Sequence, residues 1–184
     1  TRLQLALLGY HQVQNAATAY AALQVMRERS LPINEAAIKE GFSKAQWPAR
    51  FEVLQRNSPL VIDAAHNRDS AAKLSRTIGD YFPGLPVVLL FGASEDKDVE
   101  GMFAELMPRV RQVVTTRSTH PRAMDPERLV ELAHRFGRPA KAILPLECAL
   151  EEALHIAAGE AVVLASGSVF LAAGVRQVWL QGGT

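Results

Sequence analysis

The sequence has a single cysteine in 184 residues, Cys148, so neither an intrachain disulfide nor a cysteine-built metal site can form. Its place beside Ala149 and Leu150 in a helix-like stretch predicts a buried structural thiol. An excess of charge is also missing: 20 Lys and Arg against 19 Asp and Glu leave a formal net charge of +1. That balance excludes the broad basic footprint of a nucleic-acid binder or of a protein drawn to anionic membranes, so any polyanion must be met by a local site. No apolar run reaches the roughly 18 to 20 residues that span a bilayer, and no basic-then-apolar signal opens the chain. A cytoplasmic location is the expectation. No G-x-x-x-x-G-K-[ST] phosphate loop occurs, which removes the usual backbone cradle for a nucleoside triphosphate. His120, His134 and His155 lack metal-ligand spacing and are read as ordinary surface or core residues.

What is present is a composition with 48% hydrophobic and 21% charged residues, enough for a globular core and sized for one domain, or for one domain and a fragment. From Ser58 onward one unit repeats: an apolar run of about five residues, then an amphipathic stretch of about a dozen. The runs PLVID, PVVLLFG, QVVTT, KAILPL and AVVLAS read as strands; helices are expected near 67–81, 99–107, 126–136, 147–158 and 169–180. Asp98 and Asp125 are placed to cap helices, and Gly137 and Gly159 to end them. VVLLF and AVVLA are apolar at every position, so helices must cover both faces of the sheet. The expected fold is α/β, a mostly parallel sheet of about six strands with helices on both faces.

The first fifty residues follow another pattern: a short strand near 3–8, an alanine-rich helix near 13–29 and a second helix near 34–40. The opening TRLQLALLGYHQ has no initiator methionine and starts with apolar alternation under way, which predicts a chain entered in the middle of a fold. A boundary is placed at Trp47–Arg50, dividing residues 1–49 from residues 50–184.

Ligands of open parallel sheets bind beyond the carboxyl ends of the strands. Asp63 ends VID and His66 and Asn67 follow it, where a carboxylate, an imidazole and an amide suit a ribose, a metal-bound phosphate or an amino acid; the competing reading has Asp63 or Asn67 capping the next helix. Glu95, Asp96, Lys97 and Asp98 follow VVLLF, either as a site or as a solvated turn. Ser168, in the small-residue loop after AVVLA, can cap a helix and donate to an anion. Upstream, His11, Gln12 and Asn15 open the first helix, with His11 and Asn15 one turn apart; they suit a purine edge or a structural role. Arg50, at the boundary, is placed for a phosphate clamp formed on domain closure.

The stretches LLGYHQVQNAATAYAAL, WPARFEVLQ, PLVIDAAHN, FGASEDKD and LASGSVFLAAGVR, in this order, resemble the folylpolyglutamate synthase/dihydrofolate synthase family of the Mur ligase group. The resemblance implies the C-terminal part of an ATP-dependent amide ligase, with a Rossmann-like domain at 50–184 preceded by a helical remnant of the ATPase domain at 1–49. It implies ATP and Mg²⁺, used mainly by an N-terminal ATPase domain absent here, and glutamate with a folate or dihydropteroate as substrates. The full-length enzyme would be a monomer, and the fragment alone inactive. By motif, Asn15 would face the adenine with His11 and Gln12 beside it, and Arg50 would reach the ATP phosphates. Asp63 and His66 would flank the nucleotide and glutamate side of the cleft, and Ser168 would hold the incoming glutamate. Arg50, Asp63 and His66 are the catalytic candidates. The chain departs from the family at Ala49 and Ala64, where glycine is common, and Asp96-Lys97-Asp98 is a family marker without an assigned role. Two other readings stay open: a Mur-type ligase adding an amino acid to a cell-wall precursor, and a non-catalytic Rossmann-like binding domain.

Overall fold

The computed structural model describes residues 1–182. It divides into two compact units, Thr1–Pro48 and the remainder from Ala49. The first unit holds α1 (Tyr10–Glu28) and α2 (Glu35–Lys44). Asn34 caps α2 by accepting the Ala37 amide hydrogen at 2.7 Å. Glu35, in the first turn of α2, accepts from Arg27 at 3.0 Å and from the Tyr20 hydroxyl at 3.3 Å, which ties the two helices together. The strand expected at 3–8 does not form. A strand needs a ladder partner for its amides. The first unit has no other strand among the described residues, and Ala6 makes a single backbone bond to Phe42 at 3.1 Å.

The second unit runs β1 (Glu52–Gln55), β2 (Leu60–Ile62), α3 (Arg68–Tyr81), β3 (Val87–Phe91), α4 (Val99–Leu106) and, after a 3-10 turn, β4 (Val110–Thr115). It continues with α5 (Pro126–Arg135), β5 (Ala140–Ala142), α6 (Leu146–Ala157), β6 (Val162–Ser166) and α7 (Val169–Gly182). The sheet order is β1-β2-β6-β3-β4-β5, parallel throughout except that β1 runs antiparallel to β2.

Every residue of β2, β3 and β6 is buried, as their unbroken apolar sequences require of strands covered on both faces. One face packs Leu60, Ile62, Val88, Leu90, Val163 and Ala165 against α6 and α7. The small Ala149, Ala153 and Ala157 let α6 lie close to the sheet. On the other face α3 packs on α4, and the Phe103 ring of α4 meets that of Phe91 at 4.8 Å.

The helix ends follow the sequence. Asp98 and Asp125 accept amide hydrogens from Gly101 and Glu127, each at 2.9 Å, and Gly137 and Gly159 take positive φ beyond α5 and α6. Cys148, expected to be buried, is exposed. On α6 the inward positions are Ala149, Leu150, Ala153 and Ala157, and Cys148 falls one position outside that stripe. Strand β1 belongs to no expected element. Its four residues are only half-buried at the sheet edge, so they carry neither the continuous apolar run nor the alternation that marks a strand.

Candidate functional site

Parallel registry sends the strand ends to one edge of the sheet. Ile62 pairs with Ala165, Phe91 with both Ser166 and Thr115, and Thr115 with Ala142. Asp63, the loop from Gly92 to Asp98 and the Gly167-Ser168 turn therefore all leave this edge. Their chains also diverge. The loops after β2 and β3 lead to α3 and α4 on one face, whereas the loop after β6, between them, leads to α7 on the other. Such a reversal of connection is the place where doubly wound sheets bind ligands.

Gly167 joins the three loops at this reversal. Its amide donates to the Ala65 carbonyl at 3.1 Å, and its φ is +113°. A β-carbon there would lie 2.7 Å from the Phe91 ring and 2.8 Å from the Gly92 carbonyl, so only glycine lets the three loops meet. Ser168 follows, nearly buried, with its Oγ accepting the Phe170 amide hydrogen at 3.1 Å as the cap of α7.

Arg50 is exposed on a tight turn just before β1. Its neighbours Ala49 and Phe51 have φ of +58° and +47°, a left-handed backbone that non-glycine residues adopt only when their surroundings impose it. Four groups impose it here. Asp63 Oδ2 accepts the Phe51 amide hydrogen at 2.8 Å, the Ala49 carbonyl accepts from Ala64 at 2.8 Å, and Glu52 Oε2 accepts the Ala49 amide hydrogen at 2.8 Å. The Phe51 ring is buried and packs against Tyr81 and Phe82, with centroids at 5.5 and 6.4 Å.

Asp63 turns its other oxygen, Oδ1, to the Ala65 amide at 2.8 Å, so its carboxylate bridges the Arg50 turn and the loop after β2. The helix cap is Asn67, which accepts the Ser70 amide hydrogen at 2.8 Å in a reciprocal capping box. Exposed His66 places Nδ1 2.9 Å from the Ala64 carbonyl, an acceptor, which assigns the proton to Nδ1 in the neutral ring and leaves Nε2 as the acceptor.

The charged loop after β3 is an ordered turn. Glu95 and Met124 donate backbone hydrogens to Arg122 and Ala93 at 3.0 and 2.8 Å, pinning it to the segment after β4. Asp96 pairs with Lys97 at 3.1 Å, and that hydrogen bond holds the Asp96 carboxyl below the ordinary carboxylate range. Beside it lies a cavity of about 420 Å³ lined by Lys97, Asp98, Met124, Arg128 and Arg135.

In the first unit, Gln12 is buried and its side-chain carbonyl accepts from the Asn15 amide at 3.1 Å. Gly9, with φ of +105°, starts the helix and receives the Gln12 amide hydrogen at 2.9 Å. His11 is half-buried and Asn15 exposed. Among the described residues, no three His, Cys, Asp or Glu side chains gather as a metal-ligand set. No described helix is long and apolar enough to cross a membrane.

The structure gives a place beside the Arg50 turn to two residues that lie in the family-like stretches but had no role assigned, Glu52 and Arg176. Arg176 Nε shares its hydrogen between the two Glu52 oxygens at 2.9 and 3.1 Å. The available signal was a lone charge in each of two apolar runs, FEVL and AAGVRQVW.

Together these features define a doubly wound α/β domain whose candidate residues Asp63 and Ser168 leave the carboxyl edge of its sheet. Residues 49–169 match the Mur ligase, glutamate ligase domain, and the chain belongs to that family. It is 34% identical over 178 residues to a probable bifunctional folylpolyglutamate synthase/dihydropteroate synthase of Haloferax volcanii, a match covering 96% of this chain and 21% of that protein. It is 31% identical over 164 residues to the dihydrofolate synthase/folylpolyglutamate synthase of Escherichia coli, covering 89% of this chain and 37% of the relative. A crystal structure of Mycobacterium tuberculosis folylpolyglutamate synthase complexed with ADP and AMPPCP superposes with a TM-score of 0.88 at 29% identity, over 96% of this chain and 42% of that one. The chain thus spans well under half the length of these relatives.

Proposed function

We propose that this chain is the closing half of an ATP-dependent carboxylate–amine ligase that joins glutamate to a folate, to dihydropteroate or to both. In this reading residues 50–184 form the glutamate-ligase domain and residues 1–49 belong to the ATPase domain that precedes it. The observation that carries the reading is the Asp63 bridge, which fixes the Arg50 turn to the sheet edge from which the Ser168 loop also leaves. The relatives named above, and the nucleotides in the solved neighbour, support the choice of reaction.

ATP, when bound, supplies the phosphoryl group that turns the substrate carboxylate into an acyl phosphate. The residues here fit a subsidiary part in holding it. Arg50 supplies an exposed guanidinium, whose planar fork matches phosphate oxygens and stabilises charge that develops there. Asp63 holds the turn that carries Arg50 and would lie on the nucleotide and glutamate side of the cleft. Asn15, with His11 and Gln12, would meet the adenine. Ser168, its oxygen engaged with Phe170, has its hydroxyl hydrogen to donate to the glutamate carboxylate, and His66, with Nδ1 engaged at Ala64, would have Nε2 to offer. These are positioning and charge-stabilising tasks. Mg²⁺ would be held mainly by the N-terminal ATPase domain, together with the nucleotide phosphates.

The reading is tested by assaying ATP hydrolysis and glutamate incorporation, with folate and dihydropteroate in turn. The assay compares the 184-residue chain with the protein extended to the length of its relatives. The extended protein should ligate and the chain alone should not. Comparable turnover by the chain alone would mean the machinery is misplaced, and an inactive extended protein would contradict the assignment as a ligase.

A further inference from the structure

The turn that carries Arg50 is strained on both sides, and its two sides are held by different devices. Phe51 is fixed by Asp63 and by its own buried ring. Ala49 is buried and its carbonyl accepts from Ala64 at 2.8 Å, but its amide hydrogen has one acceptor, Glu52 Oε2 at 2.8 Å. A glutamate three residues along the chain has several rotamers, and its side chain is one-quarter exposed. What selects the rotamer is Arg176, whose Nε lies 2.9 and 3.1 Å from the two Glu52 oxygens. Arg176 projects from α7 about two turns beyond the Ser168 cap. The helix that begins at the Ser168 loop therefore also sets the Arg50 turn.

We propose that the Glu52–Arg176 pair is a positioning pair for Arg50. Resting on the ligase reading above, it aims the guanidinium without touching substrate. Losing the pair frees the Ala49 amide, lets the left-handed turn relax and displaces Arg50 from its working direction, while the core of the sheet stays intact. A displacement of about 1 Å at such a group can cost on the order of a hundredfold in rate. The structural alternative is that the pair merely ties α7 to the sheet edge, in which case its loss lowers stability and leaves Arg50's contribution untouched.

Two measurements separate these. In the 184-residue chain, amide exchange followed by NMR should show the Ala49 amide exchanging at least tenfold faster in Arg176→Ala. The β3 amides should be unchanged, and Arg176→Lys should restore part of the protection. In the protein extended to its relatives' length, Arg176→Ala should lower kcat for ligation by about ten- to a hundredfold, with a smaller change in the nucleotide KM. In an Arg50→Ala background the same substitution should cost nothing further. Glu52→Gln, which keeps volume and an acceptor for Ala49 but weakens the grip of Arg176, should give a smaller loss of the same kind, should Arg176→Ala fold poorly. An unchanged Ala49 amide, or losses from Arg176→Ala and Arg50→Ala that multiply, would overturn the positioning role. If Arg50→Ala itself keeps full turnover, the ligase role of Arg50 fails and the positioning role fails with it. The exchange result still shows whether the pair holds the turn.

Discussion

Asp63 Oδ2 accepts the amide hydrogen of Phe51 at 2.8 Å, joining the end of β2 to the turn that presents Arg50. Because Oδ1 accepts from Ala65 at 2.8 Å, one carboxylate satisfies two partly buried amides in different loops. Asp63→Ala should therefore destabilise the second unit by about 1–3 kcal/mol, the usual cost of leaving such donors unpaired. Urea unfolding of the variant beside the parent chain measures it. A change below about 0.5 kcal/mol would place the bridge among ordinary surface contacts.

Ala49 and Ala64 stand where the resembling family commonly has glycine, and the structure separates them. Ala49 has φ of +58°, whereas Ala64 is not in the left-handed region. At Ala64, glycine adds only unfolded-state entropy and should cost about 0.5–1 kcal/mol. At Ala49 the same entropy is offset by relief of a left-handed backbone that costs an L-residue about 1–2 kcal/mol. Melting curves should thus rank Ala49→Gly above Ala64→Gly. The reverse order would contradict the backbone assignment.

The Asp96 carboxyl should titrate below the ordinary carboxylate range, because the Lys97 hydrogen bond favours its charged form. The folded-state value is depressed, so the small stability it contributes is present above the unfolded-state pKa and is lost as pH falls through the folded one. Carboxyl chemical shifts followed against pH in the parent chain and in Lys97→Met test this. The variant should bring Asp96 back up towards the ordinary range. Identical titration curves would remove Lys97 as the cause.

How much could be read beforehand follows from how local each signal is. β2, β3 and β6 announce themselves by unbroken apolar runs, and the caps at Asp98 and Asp125 by one side chain next to a helix start. The shared edge of Asp63, Asp96 and Ser168 follows once the strands are parallel. Strand β1 was hidden because an edge strand of four half-buried residues has no period to detect. Residues 3–8 misled for the opposite reason, an alternation with no partner strand in its unit. Cys148 lies one position off the buried stripe of α6, closer than a pattern without fixed helix phase can resolve. Glu52 and Arg176 are 124 residues apart, and nothing in either local sequence names the other.

The central claim is that Arg50 acts on phosphate charge during ligation, and the most direct measurement is glutamate incorporation by Arg50→Ala and Arg50→Lys in the protein extended to its relatives' length. Losing a charged contact of this kind should slow turnover by on the order of a hundredfold while folate binding changes little. Lysine should rescue poorly, because it restores the charge without the planar fork. Turnover in the alanine variant equal to that of the parent would contradict the account.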